Sequence, residues 1–371
     1  MSELALSPDE FTHFSVPHAL CVAGEYQYCL GFGSLVAATQ LRVQADVSRA
    51  GGDFEIALSP QEEALSARAG ELTRRWEEVL AHAAPGKAGA LPAVSISLGF
   101  GEAGGDCPAE ALLGSPAVAV ALACAVGAHS GGGRPVPAEQ VARRADRLLS
   151  EFLDAAERPY RYPFYAECMG CLRGGASCVA PSSAPLDVQL LLPPSSLILA
   201  LSLRAAPSPR GGAWEKALAG AMQKLRPQDI ERMLSPEGED AAMLFEVAPR
   251  SLGGEELALL YGIFRVREMI AQELELIGAP FLDHDRLAEL CDEESALLED
   301  YFSFPADLYR SVKHRAVENG ALGGKLTYAF GNRPALLLLA PGRRDEVRDA
   351  LDEKLDGYSF LAVEVEPQGV A

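Results

Sequence analysis

The sequence is poor in positive charge. Its 371 residues carry 32 Lys and Arg against 52 Asp and Glu, which gives a formal net charge of −20. Nucleic acids and anionic membranes both attract basic surfaces, so this balance argues against either as a partner. A small phosphate ligand stays compatible with it, because a glycine-rich loop at a helix N-terminus binds phosphate with few cations.

Long apolar runs and a targeting segment are also lacking. The first residues, MSELALSPDEF, are acidic and have neither the basic start nor the apolar core of a signal peptide. The apolar stretches near 116–128 and 334–340 are far shorter than the roughly 20 residues of a membrane span. The eight cysteines are scattered, mostly within apolar runs, which is typical of buried free thiols. We therefore expect a cytoplasmic protein.

Paired metal-binding patterns are scarce. The six histidines form no HxH or HxxxH pair. Cys168, Cys171 and Cys178 are close enough in sequence to suggest zinc or redox chemistry, but a structural zinc site needs four ligands. Packing of small side chains is the favoured interpretation of these thiols. The acidic residues between 292 and 300 are expected to form a solvated helix face.

The apolar pattern is well developed, since 49% of the residues are hydrophobic. Its character changes near residue 185, which predicts two α+β domains, residues 1–185 and 186–371. The pattern predicts helices from Ser59 to about residue 80, at 116–126, after Pro137, at 255–277 and at 343–355. It predicts strands at 17–24, 34–47, 93–98, 325–330, 335–340 and 358–366, and two strands within 186–203 that Pro193 and Pro194 separate.

Four segments stand in a suggestive order. They are VPHALCVAGEY at 16–26, GDCP at 105–108 with AEALLGSPAVAVALA after it, ECMGCL at 167–172 and GALGGKLT at 320–327. In turn they resemble the opening signature, the phosphate loop with its helix, the catalytic-aspartate segment and the lead-in to the C-terminal glycine-rich motif of the GHMP kinase superfamily, in its galactokinase branch. The helix that carries Trp76 also falls where the family has one.

This resemblance implies a two-domain α+β fold with a phosphate-loop helix in the N-terminal domain and a ferredoxin-like C-terminal domain. The family transfers the γ-phosphoryl group of ATP to a sugar hydroxyl, and it uses Mg²⁺. ATP and Mg²⁺ are therefore the implied cofactors. Carried over to this sequence, the family implies sugar contacts at Glu25, Tyr28 and Glu167, nucleotide contacts at Pro108, Gly114, Ser115 and Thr327, and Ser115 as a metal ligand.

The chain departs from the family at its chemical positions. The family's arginine and aspartate fall at Ala19 and Gly170, so no catalytic residue is assigned. Tyr26 and Tyr28 replace the His and Asp that contact the sugar. The sequence AEAL at 109–112 replaces glycines of the phosphate loop, where side chains block the approach of backbone to phosphate.

Shifted roles are a further possibility for this site. His18 or Arg42 would then supply the cation, and Asp106 or Asp187 the base. None of these residues follows the family's pattern, so we give them little weight.

Three functions stay open at this point. The leading one is a non-catalytic or strongly impaired homologue that binds a sugar-like small molecule or a protein partner. The alternative is an active ATP-dependent sugar 1-kinase with altered site residues. The third is an interaction protein whose cleft is filled by Tyr26, Tyr28, Tyr328 and Phe330.

Overall fold

The computed structural model of the chain describes residues 3–4, 11–24, 33–49, 55–58, 67–83, 94–100, 112–130, 136–153, 164–180, 185–188, 196–203, 213–226, 228–229, 252–279, 281–302, 304–330 and 333–370. The α-helices in these ranges are α1 (Ala67–Ala83), α2 (Pro116–Ser130), α3 (Ala138–Phe152), α4 (Tyr165–Arg173), α5 (Ala213–Lys224), α6 (Gly254–Gly278), α7 (His284–Phe302), α8 (Arg310–Glu318) and α9 (Arg344–Lys354). The β-strands are β1 (Glu3–Leu4), β2 (Phe11–Ala23), β3 (Ser34–Arg49), β4 (Glu55–Leu58), β5 (Val94–Phe100), β6 (Val136–Pro137), β7 (Ala176–Val179), β8 (Leu186–Val188), β9 (Leu197–Ser202), β10 (Gly323–Ala329), β11 (Arg333–Leu339) and β12 (Tyr358–Val363).

The first large sheet is built around β3, a strand of 16 residues. It has the order β4-β5-β3-β7-β8, and β2 also pairs with β3. The small apolar residues of β2 and the helices α2 and α4 share one buried core, so these helices cover the sheet. The β2–β3 register shifts between Pro17 and Ala19, which places a β-bulge beside His18.

The second large sheet has the order β10-β11-β9-β12, and all of its pairs are antiparallel. Helices lie between β9 and β10 and between β11 and β12 in the chain, which makes a βαββαβ unit. This arrangement confirms the predicted ferredoxin-like C-terminal fold. The chain passes between the two sheets after β8, which still pairs with β7. The domain boundary at residue 185 stays a prediction.

Most predicted elements are found with shifted ends. The strand predicted at 17–24 begins earlier, at Phe11, because its pairing with β3 continues to Ser48. The two strands predicted on either side of Pro193 and Pro194 are β8 and β9, and they belong to different sheets. The predicted helix start at Ser59 lies outside the described residues, whereas α1 is described from Ala67.

The residues after β12 fasten the second half of the chain to the first. We call residues 364–369 the C-terminal clasp. The amide of Gln40 donates to the carbonyl of Glu364 at 3.1 Å, and the amide of Gly175 donates to the carbonyl of Glu366 at 2.6 Å. The guanidinium of Arg42 donates to the carbonyl of Gly369 at 2.8 Å.

None of the helices described above is long and apolar enough to cross a bilayer.

Candidate functional site

The two positions to which the resemblance assigns the family's arginine and aspartate are in contact. Ala19 lies on β2 and is 2% exposed, and Gly170 lies within α4. A Cβ placed on Gly170 would lie 3.0 Å from the Cβ of Ala19 and 3.2 Å from Cγ2 of Val36. These two positions are far apart in sequence, and the fold brings them together. Their packing has no room for two charged side chains.

The thiols beside this contact belong to the core. Cys168 and Cys171 on α4 are fully buried, and the described cysteines are free. Burial raises the pKa of Cys168 well above its usual 9.0, and the thiol of Cys171 and nearby carboxylates raise it further. Both thiols are therefore protonated at neutral pH, which suits packing and not metal ligation. Within the described part of the chain, no group of three or more His, Cys, Asp or Glu is placed to hold a metal ion.

Glu167, a predicted sugar contact, lies in the first turn of α4 and is 3% exposed. Its charge acts on the buried thiols of Cys168 and Cys171, whose pKa values it helps to raise after the larger effect of burial. A carboxylate so deep in the core does not face open solvent. Its role towards a sugar stays a prediction.

Ser115 caps the N-terminus of α2. Its Oγ accepts a hydrogen bond from the amide of Val118 at 3.4 Å, and Pro116 occupies the first helical position. The side chain is fully buried. Just before it, the carbonyl of Leu113 accepts a hydrogen bond from the indole nitrogen of Trp76 at 2.8 Å, so α1 fixes the turn at the half-buried Gly114. The hydroxyl that the family resemblance assigns to a metal is thus engaged in capping.

The C-terminal motif forms the regular strand β10, whose side chains reach β2. Thr327 is fully buried, and its Oγ1 donates to the carbonyl of Cys21 at 3.1 Å. The Nζ of Lys325 donates to the carbonyl of Val22 at 2.7 Å. These two contacts join the first and fourth motifs, as the family resemblance requires, but they use the polar atoms of Lys325 and Thr327 to hold the halves together.

Lys325 is also paired with a buried carboxylate. Its Nζ lies 3.2 Å from Oε2 of Glu294, and the two side chains are 1% and 0% exposed. The other carboxylate oxygen of Glu294 accepts the amide of Gly24 at 3.3 Å. The interpretation of the acidic run as a solvated helix face is therefore wrong for Glu294. Its partner Lys325 lies on a distant strand, so the local sequence could not reveal the pair. The interpretation holds for the exposed Glu293 and Glu299.

Gly24 is one of the motif glycines whose identity the structure explains. Its φ of +84° lies in the left-handed region, and a Cβ there would be 2.8 Å from Cδ1 of Ile270. Its carbonyl accepts a hydrogen bond from Ser34 at 2.7 Å. The opening motif therefore keeps its turn although it has lost its arginine.

His18 is the unexpected feature of this region. It is fully buried beside the β-bulge, and neither ring nitrogen has a hydrogen-bond partner. Burial lowers the pKa of its imidazole to about 3. His18 is therefore neutral at pH 7, which contradicts its suggested role as a shifted cation.

The ring of His18 stacks on Phe330, with centroids 4.4 Å apart and an interplanar angle of 16°. Phe330 has a φ of 51°, a left-handed conformation that costs energy for a bulky residue. It is buried in one apolar cluster with Leu20, which follows the opening motif's alanine, and Leu112, which precedes Ser115. Apolar side chains from the first two motifs thus share a cluster with Phe330, three residues beyond the fourth motif. The buried Phe330 supports that part of the cleft-filling hypothesis.

Arg42 and Asp187 are the remaining candidate residues that the structure describes. Arg42 is occupied, because its guanidinium donates to the carbonyl of Ser15 at 2.8 Å as well as to the C-terminal clasp. Asp187 is 77% exposed and pairs with Arg173 at 2.6 Å. The predicted or considered residues Glu25, Tyr26, Tyr28, Asp106 and Pro108 lie outside the described residues.

Comparisons with solved structures agree on the fold. A galactokinase from Lactococcus lactis, solved in complex with galactose, matches with a TM-score of 0.68 at 12% identity, over 98% of this chain and 95% of that chain. A mevalonate kinase from L. major, in complex with R-mevalonate, matches with a TM-score of 0.59 at 12% identity, over 99% of this chain and 100% of that one. A mevalonate diphosphate decarboxylase from Staphylococcus aureus matches with a TM-score of 0.52 at 12% identity, over 98% and 97%.

These proteins are members of the GHMP kinase superfamily, and the present chain has their fold over its whole length. The two-domain α+β architecture expected from the motifs is confirmed. At the level of sequence, no family model and no curated protein matches.

Proposed function

We propose that this chain is a non-catalytic GHMP-fold protein that acts by binding a sugar-like small molecule or a protein partner. The observation that carries the proposal is the contact between Ala19 and Gly170. Phosphoryl transfer needs a cation near the transferred group and, in most cases, a base for the attacking hydroxyl. The two positions where this fold would supply them hold neither charge nor space.

Other residues near this contact do not replace the missing charges. His18 is neutral, because burial lowers its pKa to about 3. Among the described residues, Lys325 is the one buried Lys or Arg, and the carboxylate of Glu294 neutralises its charge at 3.2 Å. A phosphate group placed here would meet little uncompensated positive charge.

The described residues also fit ATP and Mg²⁺ poorly. The Oγ of Ser115, the implied metal ligand, is buried and accepts the amide of Val118. A metal would have to reach an oxygen that is fully buried and already accepts one hydrogen bond. Leu112 and Phe330 meanwhile belong to the apolar cluster that joins the phosphate-loop end to the second sheet. We therefore propose no nucleotide cofactor.

A turnover assay tests the missing activity. Purified protein is incubated with Mg·ATP and a panel of hexoses that includes galactose, and both sugar phosphate and ADP are measured. We expect neither product above the rate without protein. Sugar phosphate that forms with the wild-type chain and disappears in Ser115→Ala would establish the alternative function, an ATP-dependent sugar 1-kinase, which the full-length similarity to a galactokinase favours.

A binding assay tests the proposed role itself. Thermal unfolding is followed with the same sugars in the absence of ATP, and we expect at least one of them to raise the Tm.

Since all the described cysteines are free thiols, a reducing compartment such as the cytoplasm is the proposed location.

A further inference from the structure

A pocket lies in the C-terminal half of the chain, between α7, α8 and the β10–β11 pair. Its volume is about 200 Å³. Liquid water occupies about 30 Å³ per molecule, so the space equals about seven waters. The pocket opens to solvent between α7 and α8 and suits a compact metabolite.

The base of the pocket is apolar. Leu326 of β10 and Leu336 of β11 face each other in register and form its floor. Ala296 of α7 and Ala306, in the short 3-10 helix Ala306–Leu308 before α8, complete the apolar lining. These side chains offer contacts to a short aliphatic group and no hydrogen bond.

The mouth of the pocket carries both charges. The Nζ of Lys313 lies 2.7 Å from Oδ1 of Asp292. A guanidinium nitrogen of Arg310 lies 3.3 Å from Oε1 of Glu299, and the same nitrogen is held more closely by Oδ1 of Asp307, at 2.9 Å. The pairs with Asp292 and Glu299 join α8 to α7 across the opening. The four side chains of these two pairs are between 30% and 71% exposed, so the pairs are solvated and contribute little to stability. They can exchange partners with a ligand at low cost.

The wall that holds these charges is firmly anchored. The Oγ of Ser295, another lining residue, donates to the carbonyl of Cys291 at 2.8 Å and accepts the amide of Leu326 at 2.9 Å. Tyr309, at the start of α8, is 1% exposed and its hydroxyl accepts the amide of Ser202 at 3.1 Å. The pocket is therefore preformed, which lowers the entropy that a ligand must overcome.

We propose that this pocket binds a free α-amino acid with a short aliphatic side chain. The side chain contacts the apolar floor, the carboxylate pairs with Lys313, and the ammonium group pairs with Asp292. Opening an ion pair releases one charge of each sign, and only a zwitterion compensates both. A simple carboxylic acid or a simple amine would leave one protein charge unpaired.

This site does not rest on the proposed function. Successive residues of a strand point to opposite faces, so Leu326 faces the pocket while its neighbours Lys325 and Thr327 reach β2 on the other side. The pocket and the cleft share a strand but no lining residue. Failure of one proposal is therefore distinguishable from failure of the other.

Calorimetric titration of the full chain with L-valine tests the proposal. Isobutylamine and isobutyrate are the matched probes, because each keeps the aliphatic group and lacks one of the two charges. We expect L-valine to bind, and each comparator to bind more weakly by up to about fivefold, the effect of one partly exposed ion pair. Absence of binding by L-valine, L-alanine and L-leucine, or equal binding of isobutylamine and L-valine, would overturn the proposal.

Three variants locate the binding. Ala296→Phe fills the pocket from an exposed position of α7 and should abolish binding, whereas Lys313→Met should weaken it by up to about fivefold. Arg348→Met is the matched control, since Arg348 lies on α9 and is 32% exposed, against 30% for Lys313. Unchanged affinity in Ala296→Phe would place L-valine elsewhere and contradict the assignment.

Discussion

Gly170 and Gly70 are both helical glycines, and their surroundings differ. A Cβ on Gly170 would meet Ala19 at 3.0 Å, whereas one on Gly70 would meet nothing within 4 Å. We expect Gly170→Ala to lower the free energy of unfolding by about 1–3 kcal/mol through overpacking. We expect Gly70→Ala to raise it by about 0.5–1 kcal/mol, because alanine favours a helix. Urea unfolding of both variants measures the difference in sign.

A second substitution identifies the cause. Ala19→Gly removes the methyl group that meets Gly170, so the double variant should recover much of the loss caused by Gly170→Ala. Equal destabilisation in the single and double variants would show that Ala19 does not limit the space at Gly170. Gly170→Asp should cost more than Gly170→Ala, since it adds a charge to the same core.

His18 makes stability depend on acid. Burial lowers the pKa of its imidazole from 6.5 to about 3, so the unfolded chain binds this proton more tightly than the folded chain. The stability due to neutral His18 is fully present above pH 6.5 and is lost as the pH falls towards 3. The difference in pKa corresponds to about 5 kcal/mol. We expect His18→Leu to flatten the pH dependence of urea unfolding between these values.

The exposed His13 provides the control for this titration. Its side chain is 53% exposed and lies 2.7 Å from Asp46. His13→Gln should leave the steep loss of stability below pH 6.5 in place, because His18 is untouched. The same steep loss in His18→Leu would refute the assignment of this acid sensitivity to His18.

At the scale of elements, α2 illustrates how a family motif is retained for structure. Ser115 caps this helix, and its Oγ accepts the amide of Val118. We expect Ser115→Ala to lower the free energy of unfolding by about 1 kcal/mol. Ser150→Ala in α3 is the control, because its hydroxyl only bonds back to the carbonyl of Asp146 within the helix. Equal effects of the two substitutions in urea unfolding would contradict a capping role.

The helices and strands were largely predictable because their apolar pattern is local: α3 is amphipathic, whereas α2 and β9 are continuous apolar runs. The helix at 116–126 and the strands on either side of Pro193 and Pro194 appear in the structure as α2, β8 and β9. The left-handed Phe330 was not predictable, since glycine and asparagine are the residues that usually signal this conformation. Its cost is met by packing against His18, a partner on another sheet.

At the scale of the whole molecule, the site depends on contacts that no local pattern encodes. Lys325 bonds to Val22 across 303 positions of sequence, and its carboxylate partner Glu294 stands in a run that reads as surface. The motif order was enough to predict the two-domain architecture, whereas the contact between Ala19 and Gly170 became visible only in the structure. The motif order could not show that the polar atoms of Ser115, Lys325 and Thr327 would be used for structure.

The C-terminal clasp should control how firmly the two halves are joined. A chain that ends at Val363 lacks the carbonyls that accept the amides of Gln40 and Gly175. We expect hydrogen exchange at these two amides to accelerate at least about tenfold, and unfolding stability to fall by about 2–4 kcal/mol at roughly 1 kcal/mol per hydrogen bond. Exchange within β10 and β11 should change much less.

Arg42→Met tests the same clasp without shortening the chain. It removes the hydrogen bonds to Gln368 and Gly369 and also the two that Arg42 donates to Ser15 on β2. Arg348→Met serves as its control, since Arg348 pairs with Asp345 and Asp349 on its own helix. Unchanged protection of Gln40 and Gly175 in the shortened chain would mean that the clasp does not hold the halves together.

We propose that this fold uses for packing the positions at which the family resemblance would place phosphate-handling groups. Calorimetric titration of the wild-type chain with Mg·ATP tests this most directly, because it needs no knowledge of the second substrate. We expect no saturable heat up to about 1 mM nucleotide. A complex with a Kd of about 1 mM has a binding free energy of about −4 kcal/mol. Saturable one-to-one binding of Mg·ATP, weakened by Ser115→Ala, would contradict the proposal.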